Sequence, residues 1–135
     1  MDYPSEKNNF LFEHARLLKI SYHRLLVKEL ISNTFSDEEF AKKLFYAPFA
    51  VASHDNSSDP VFNYANLKAL QLFELDWEDL IQLPSKYSAE RGNQAERDHL
   101  LSEVTQKGYI DHYEGIRISN TGKRFMIKNA IVWNL

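Results

Sequence analysis

The stretch that most constrains this chain is Ser53–Phe73, SHDNSSDPVFNYANLKALQLF. A polar, turn-forming run from His54 to Asp59 is closed by Pro60, which fixes its own φ and offers no N–H donor. Val61-Phe62-Asn63-Tyr64-Ala65 then reads as a short β-rich segment, and Asn66 stands where a helix N-cap belongs. The helix it opens is compact and apolar through Leu67, Ala69, Leu70, Leu72 and Phe73, so it belongs against a sheet rather than in water. Any fold for this chain must fit a strand, a polar turn, a second strand and a short buried helix, in that order.

The flanking segments supply the rest of an α+β domain. From Asn9 to about Asn33 the apolar residues recur at helical spacing in two rows. One is Leu11, Ala15, Leu18, Tyr22 and Leu25; the other is Leu17, Ile20, Val27 and Ile31. Two rows make a wider apolar arc than a one-sided surface helix needs. Either the helix is sunk between the sheet and the next helix, or the second row belongs to another subunit. Ser36 and Glu39 have capping-box spacing and Phe35 with Phe40 has staple spacing, so a second helix starts there and stops before Pro48. Phe49–Ser53 is the candidate first strand and Val61–Ala65 its hairpin partner.

Asp76-Trp77-Glu78-Asp79 opens another short helix, with acidic residues suited to its positive end. Asn93–Lys107 is amphipathic: Leu100, Leu101 and Val104 face in, Glu96, Arg97, Asp98, Glu103 and Lys107 face out, and Gly108 closes it. Tyr109–Ser119 and Lys123–Leu135 read as two long strands around an Asn120-Thr121-Gly122 turn, with Gly115 a candidate bulge. Phe73 and Trp77, facing Phe125, Ile127 and Ile131, form the expected core. The reading is thus an antiparallel sheet with short helices on one face, preceded by an N-terminal helical pair. Residues 1–47 are the helical segment and residues 48–135 the sheet-bearing domain.

Composition narrows the function. The chain has no cysteine, which removes disulfides, thiolate metal sites and a cysteine nucleophile. A net charge of −3 gives no basic footprint for nucleic acid. The opening MDYPSEK lacks the apolar centre of a signal peptide, and no apolar run approaches membrane-spanning length. The expectation is a cytoplasmic protein with neither nucleic acid nor membrane as partner.

Several long strings resemble one family, the MEKHLA domain. They are SHD at 53–55, DPVFNYAN at 59–66, ALQLFE at 69–74, LPSKYSAE at 83–90, AERDHLL at 95–101, GYIDHYEGIRIS at 108–119, RF at 124–125 and VWNL at 132–135. The resemblance covers roughly Phe40 to Leu135. It implies a PAS-like fold and a sensory or regulatory role, exerted through a ligand or through dimerisation, and it brings no catalytic residues. Members also occur at the C-terminus of plant class III homeodomain-leucine-zipper regulators. This chain shows neither a homeodomain nor a sustained heptad zipper, so DNA binding does not carry over.

A PAS sheet has five antiparallel strands in the order 2-1-5-4-3, whereas four are legible here. The resemblance implies a further strand beyond VWNL. The expectation is therefore a domain lacking its final strand, either a shortened form of a longer protein or one whose gap a second copy fills. Strands one and four, which run parallel, would then remain unpaired with each other.

Candidate chemistry is sparse. His54, Asp55 and Asp59 are the most acid–base-looking group, yet the same residues beside Pro60 are what a turn needs. His99, on the long helix, sits where one haem-binding branch of PAS proteins carries its ligand, but Glu96, Arg97 and Asp98 mark a solvated face. His112 has no partner at metal spacing. No metal, haem or flavin is expected. The better lead is the aromatic set, which would line a pocket between sheet and short helices. The expected ligand-binding residues are Phe62, Tyr64, Leu70, Phe73, Trp77, Tyr87, Arg91 and Ile127. Arg91 or Arg97 would anchor a carboxylate, or simply pair with Glu90 or Glu96 on the surface.

The leading reading is a non-enzymatic PAS-like domain that binds a small ligand or protein partner, and that forms a homodimer through the N-terminal helix, the open sheet edge or both. The rival is a small cone-shaped α+β isomerase or dehydratase using His54 and Asp55 in an apolar cavity. The discriminator is where those two side chains point: into a cavity near Tyr64 or Tyr109 for the enzyme, out into the loop for the sensor.

Overall fold

A computed structural model describes residues 2–32, 34, 36–89 and 94–135. It contains five α-helices and four strands among these residues, an α+β arrangement that opens with a helical pair. In chain order these are α1 (Phe12–Leu26), α2 (Asp37–Phe45), β1 (Ala52–His54), β2 (Phe62–Ala65), α3 (Leu67–Phe73), α4 (Trp77–Leu80), α5 (Gln94–Lys107), β3 (Tyr109–Ile118) and β4 (Arg124–Trp133). Short 3-10 turns cover Glu6–Asn8 and Ser85–Ser88.

The strands form two separate antiparallel hairpins, β1 with β2 and β3 with β4. Strands β1 and β4 do not pair with each other. The other edge of β2 is covered: Phe62 N donates to Leu83 O at 3.1 Å and Ser85 N to Pro60 O at 2.8 Å, with Val61 bridging Pro84. Helix α1 reaches both hairpins. The His14 ring meets Ser53 on β1 and stacks on Tyr64 of β2, while Tyr22 lies edge-on to Trp133 of β4 at 5.1 Å. Trp133 is half-buried, and its indole N–H donates to Ser21 Oγ at 2.8 Å.

Helix α1 is shorter than its periodicity suggests. Residues Asn9, Phe10 and Leu11 are left-handed and delay its start, and Val27, at φ 55°, ends it. A β-branched residue in that conformation is strained. Its first apolar row is inside, with Ala15, Leu18 and Tyr22 buried. Its second is not: Leu17, Ile20 and Val27 are 55%, 49% and 80% exposed. Helix α2 begins as read, with Ser36 Oγ accepting from Glu39 N; the Phe35 half of the staple lies outside the described residues.

The core sits farther toward the N-terminus than the sequence suggests. Phe10, Leu18, Phe40, Leu44 and Phe45 bury against Val51, Phe62, Tyr64, Leu70, Trp77 and Leu80. Trp77 is there, but Phe73, Phe125, Ile127 and Ile131 are only half-buried. The reason is the split sheet: β3 and β4 make a two-stranded ribbon, which cannot be covered as a central strand would be.

Asn66 ties the two halves of this core. Its Oδ1 caps α3 at Ala69 N (3.1 Å) and accepts from Val51 N (2.9 Å), while its Nδ2 donates to Leu44 O (3.0 Å) and Phe49 O (2.8 Å). A fully buried amide with all these bonds satisfied fixes the end of α2 against the start of α3.

Candidate functional site

The His54–Asp59 loop is built as a turn. Asp55 Oδ1 accepts from Ser57 Oγ (2.6 Å), Ser57 N (3.2 Å) and Val61 N (3.1 Å), and these donors hold its carboxyl below the usual carboxylate range. The His54 ring turns back on the Asp55 carbonyl at 2.8 Å, and Asp59 pairs with Lys86 at 3.4 Å. Neither His54 nor Asp55 is hydrogen-bonded to Tyr64 or Tyr109 among the described residues. His99 is exposed on α5, 3.3 Å from Glu103. The described residues contain no group of three or more His, Cys, Asp or Glu suited to a metal.

The aromatic residues form a ladder in two sets of ring contacts, joined through the β2 backbone that carries both Phe62 and Tyr64. Tyr64 stands edge-on to Trp77 at 6.0 Å, Phe62 lies 6.0 Å from Phe73, and Phe73 stands edge-on to Phe125 at 5.3 Å. Two concavities flank the ladder. An open groove of about 520 Å³ lies between α3 and α4, with Tyr3, Leu70 and Trp77 as walls and Glu74, Asp76 and Glu78 along it. A smaller cavity of about 270 Å³ lies under the β3–β4 turn, walled by Phe73, Leu83, Tyr87, Ser88, Ile118 and Ser119.

The anticipated ligand-binding set is therefore dispersed. Leu70 and Trp77 border the groove, Phe73 and Tyr87 border the smaller cavity, and Phe62 and Tyr64 are buried in the ladder between. Ile127 borders neither of these two cavities, and Arg91 lies outside the described residues.

The smaller cavity owes its roof to a latch. Asn120 N donates to Phe73 O at 2.8 Å, where Glu74 ends α3 in a left-handed cap at φ 54°. The Glu74 carboxylate accepts from Thr121 Oγ1 (2.9 Å) and Ser119 Oγ (3.0 Å), which lowers its pKa. The hairpin tip is thereby held on the end of the short helix.

Two groups escaped the sequence reading and a third was misplaced. Arg97, named as a candidate carboxylate anchor but assigned to the outer face of α5, is buried and donates to Ser85 Oγ. Arg117 is buried on β3 and donates to Tyr113 Oη at 3.2 Å. The signal for Arg117 lay in the run Tyr113, Gly115, Arg117, Ser119, which places polar residues two apart along one strand face; nothing of the kind marks Arg97. The other group that escaped is His14. Ser53 donates to Asn63 Oδ1 at 2.6 Å, so the imidazole must supply the N–H of its 2.9 Å contact with Ser53. Burial lowers the His14 pKa, which favours the neutral ring.

No helix among the described residues is long and apolar enough to cross a membrane. Comparison with curated proteins finds no significant match. A family model described as the MEKHLA domain matches residues 12–135, from the first residue of α1 to the end of the chain, and so includes the helical pair upstream of the resembling strings. The chain belongs to the MEKHLA domain family, a PAS-like domain family.

Proposed function

We propose that the protein is a PAS-like sensory or regulatory domain that holds a small molecule between α3, the Ser85–Ser88 turn and the β3–β4 hairpin. The observation that carries this reading is the roughly 270 Å³ cavity with Phe73 and Tyr87 in its wall, roofed by the Glu74 latch. Such a volume suits a compact metabolite better than a drug-sized ligand. In this reading Phe73 and Tyr87 touch the ligand, and Phe62 and Ile127 support them. Leu70 and Trp77 border the neighbouring groove and feel occupancy through Tyr64 and Phe62. Opening the latch would admit the ligand, and closing it would set the hairpin against α3.

Output passes to a second copy of the chain. Leu17, Ile20 and Val27 present an apolar row on α1 at its exposed side, and the same helix touches β1, β2 and β4 through His14, Tyr22 and Ser21. A shift of the hairpin would reach that row directly. The rival reading, an isomerase or dehydratase, needs His54 and Asp55 inside an apolar cavity. The Asp55 carboxylate is instead engaged by three donors of its own turn, which favours the binding domain.

Native mass spectrometry of the full chain tests both parts. The expected spectrum is a dimer that releases a small molecule on denaturation, and Leu17→Glu with Ile20→Glu should convert it to a monomer. A bare monomer that gains no stability from any member of a metabolite panel would overturn the proposal.

A further inference from the structure

The inner face of β3 carries an unusual charge. In the β3–β4 ladder Arg117 lies opposite Phe125, and Gly115 lies opposite Ile127. Directly opposed residues share a face, so Arg117 projects on the side where Phe125 meets Phe73. Arg117 is 7% exposed, and Arg97, coming from α5, is 6% exposed. Burial first, and then the Arg117 charge, lower the Arg97 pKa against the opposing pull of Asp98, so the two guanidiniums lie within reach of each other's field.

Their hydrogen-bonding partners include one carboxylate for two guanidiniums. Arg97 donates to Ser85 Oγ and, at 3.1 Å, to the largely exposed Asp98 carboxylate. Arg117 donates to the Ile116 carbonyl at 3.0 Å and to Tyr113 Oη at 3.2 Å, neither of which carries a full negative charge. Among the described residues, Asp59 also acts on Arg97 from a distance, and Glu96 accepts from Tyr113 at 2.8 Å rather than from an arginine. A guanidinium presents several N–H donors in a rigid fork, and most of the N–H groups of this pair have no acceptor among the described residues. Burying such charge without its counter-charge is costly. Arrays of this kind are what bind carboxylates and phosphates.

The pair also adjoins the cavity. Ser88, in the cavity wall, donates to Ser85 O at 2.7 Å, and Ser85 is the residue that Arg97 holds. Ser119, also in the wall, follows Arg117 by two positions on the same strand face. Tyr113 folds back over Gly115, where an added Cβ would meet its ring carbon Cζ at 2.8 Å. Gly115 thus leaves the space that lets Tyr113 reach Arg117.

We propose that Arg97 and Arg117, with Ser85 and Tyr113, form the oxyanion subsite of the ligand pocket, so that the molecule sensed carries a carboxylate or a phosphate. This rests on the ligand-binding reading and gives it a chemistry. The oxyanion accepts from both guanidinium forks, and the apolar part of the molecule extends toward Phe73.

Thermal melts of the full chain in inorganic phosphate and in acetate, each against chloride at equal ionic strength, test it. One of the two oxyanions should raise Tm saturably above the chloride control, and which one does so separates phosphate from carboxylate ligands. Arg97→Met and Arg117→Met should each weaken that response at least tenfold. In chloride, Arg117→Met should melt no lower than the parent, because it removes a buried charge without a counter-ion. Arg117→Lys, which keeps the charge and loses the fork, should retain only part of the response. Equal melting in phosphate, acetate and chloride would overturn the subsite, as would an undiminished response in both Met variants. A neutral molecule retained in native mass spectrometry would overturn it too, while leaving the ligand-binding reading intact.

Discussion

Asn66→Ala should be among the most damaging single substitutions in this protein, although it removes only a small polar side chain. Losing the α3 cap at Ala69 N costs about 1 kcal/mol. The Val51 N–H and the Leu44 and Phe49 carbonyls also lose their partner. Each orphaned buried group costs roughly 1–3 kcal/mol, and the low end applies if water enters the vacated space. The sum is about 4 kcal/mol or more, against roughly 5–15 kcal/mol for the whole of a typical domain. Asn66→Ser should recover about 1 kcal/mol by keeping the cap. Asn66→Asp should not recover the rest, because a carboxylate oxygen would face the Leu44 and Phe49 carbonyls. The assay is equilibrium urea unfolding followed by tryptophan fluorescence and far-ultraviolet circular dichroism, with the slope unchanged. Ser36→Ala, which removes an exposed cap of similar geometry, is the reference at about 1 kcal/mol. If Asn66→Ala costs no more than Ser36→Ala, the bridging role of the amide is refuted.

Trp77→Ala should cost about 3–5 kcal/mol, whereas Phe73→Ala, whose ring is half-buried, should cost about 2 kcal/mol; urea midpoints of the two variants decide the order. Val27→Gly should stabilise the isolated subunit by about 1 kcal/mol, since glycine takes the left-handed cap without strain and Val27 packs little; a lower Tm at high dilution would contradict this. His14 makes stability pH-dependent in a defined sense. Its pKa is lowered in the fold, so the unfolded chain binds the extra proton first. Its contribution is whole above the ordinary histidine value and is lost as pH falls through that value toward the lowered one. His14→Gln should flatten the fall in Tm on acidification below about pH 6.5.

Much of the fold was legible because local chemistry and tertiary structure agree. Pro60, Asn66, Asp76 and Gly108 each sit at the boundary that their backbone preferences indicate. Strands β2, β3 and β4 fall within the segments read as extended, whereas β1 starts three residues late and takes in His54, which the sequence assigns to the turn; Gly115 adjoins a real irregularity, since the ladder slips on either side of Tyr113. What was not legible depends on which elements meet. Arg97 was placed outside because it stands between Glu96 and Asp98, yet the Ser85–Ser88 turn covers that face of α5. The core moved toward α1 and α2 because the β3–β4 ribbon pairs with no other strand among the described residues. Of the eight residues expected to line one ligand site, Phe73 and Tyr87 border the smaller cavity while Leu70 and Trp77 border the neighbouring groove, because the split sheet does not gather them round one pocket. Nothing in the sequence indicates that the hairpin tip locks onto Glu74, since that contact joins residues more than forty positions apart.

The central claim is that this PAS-like domain takes its ligand under the hairpin tip, and amide chemical-shift mapping tests it most directly. Titrating the labelled full chain with phosphate, acetate and a set of small organic acids should move resonances of Phe73, Tyr87, Ser88, Ser119 and Asn120 together, saturably. Glu74→Gln, which weakens the latch, should broaden the same set. Shifts confined to His54–Asp59 or to the α3–α4 groove, or no saturable shift with any compound, would contradict the account.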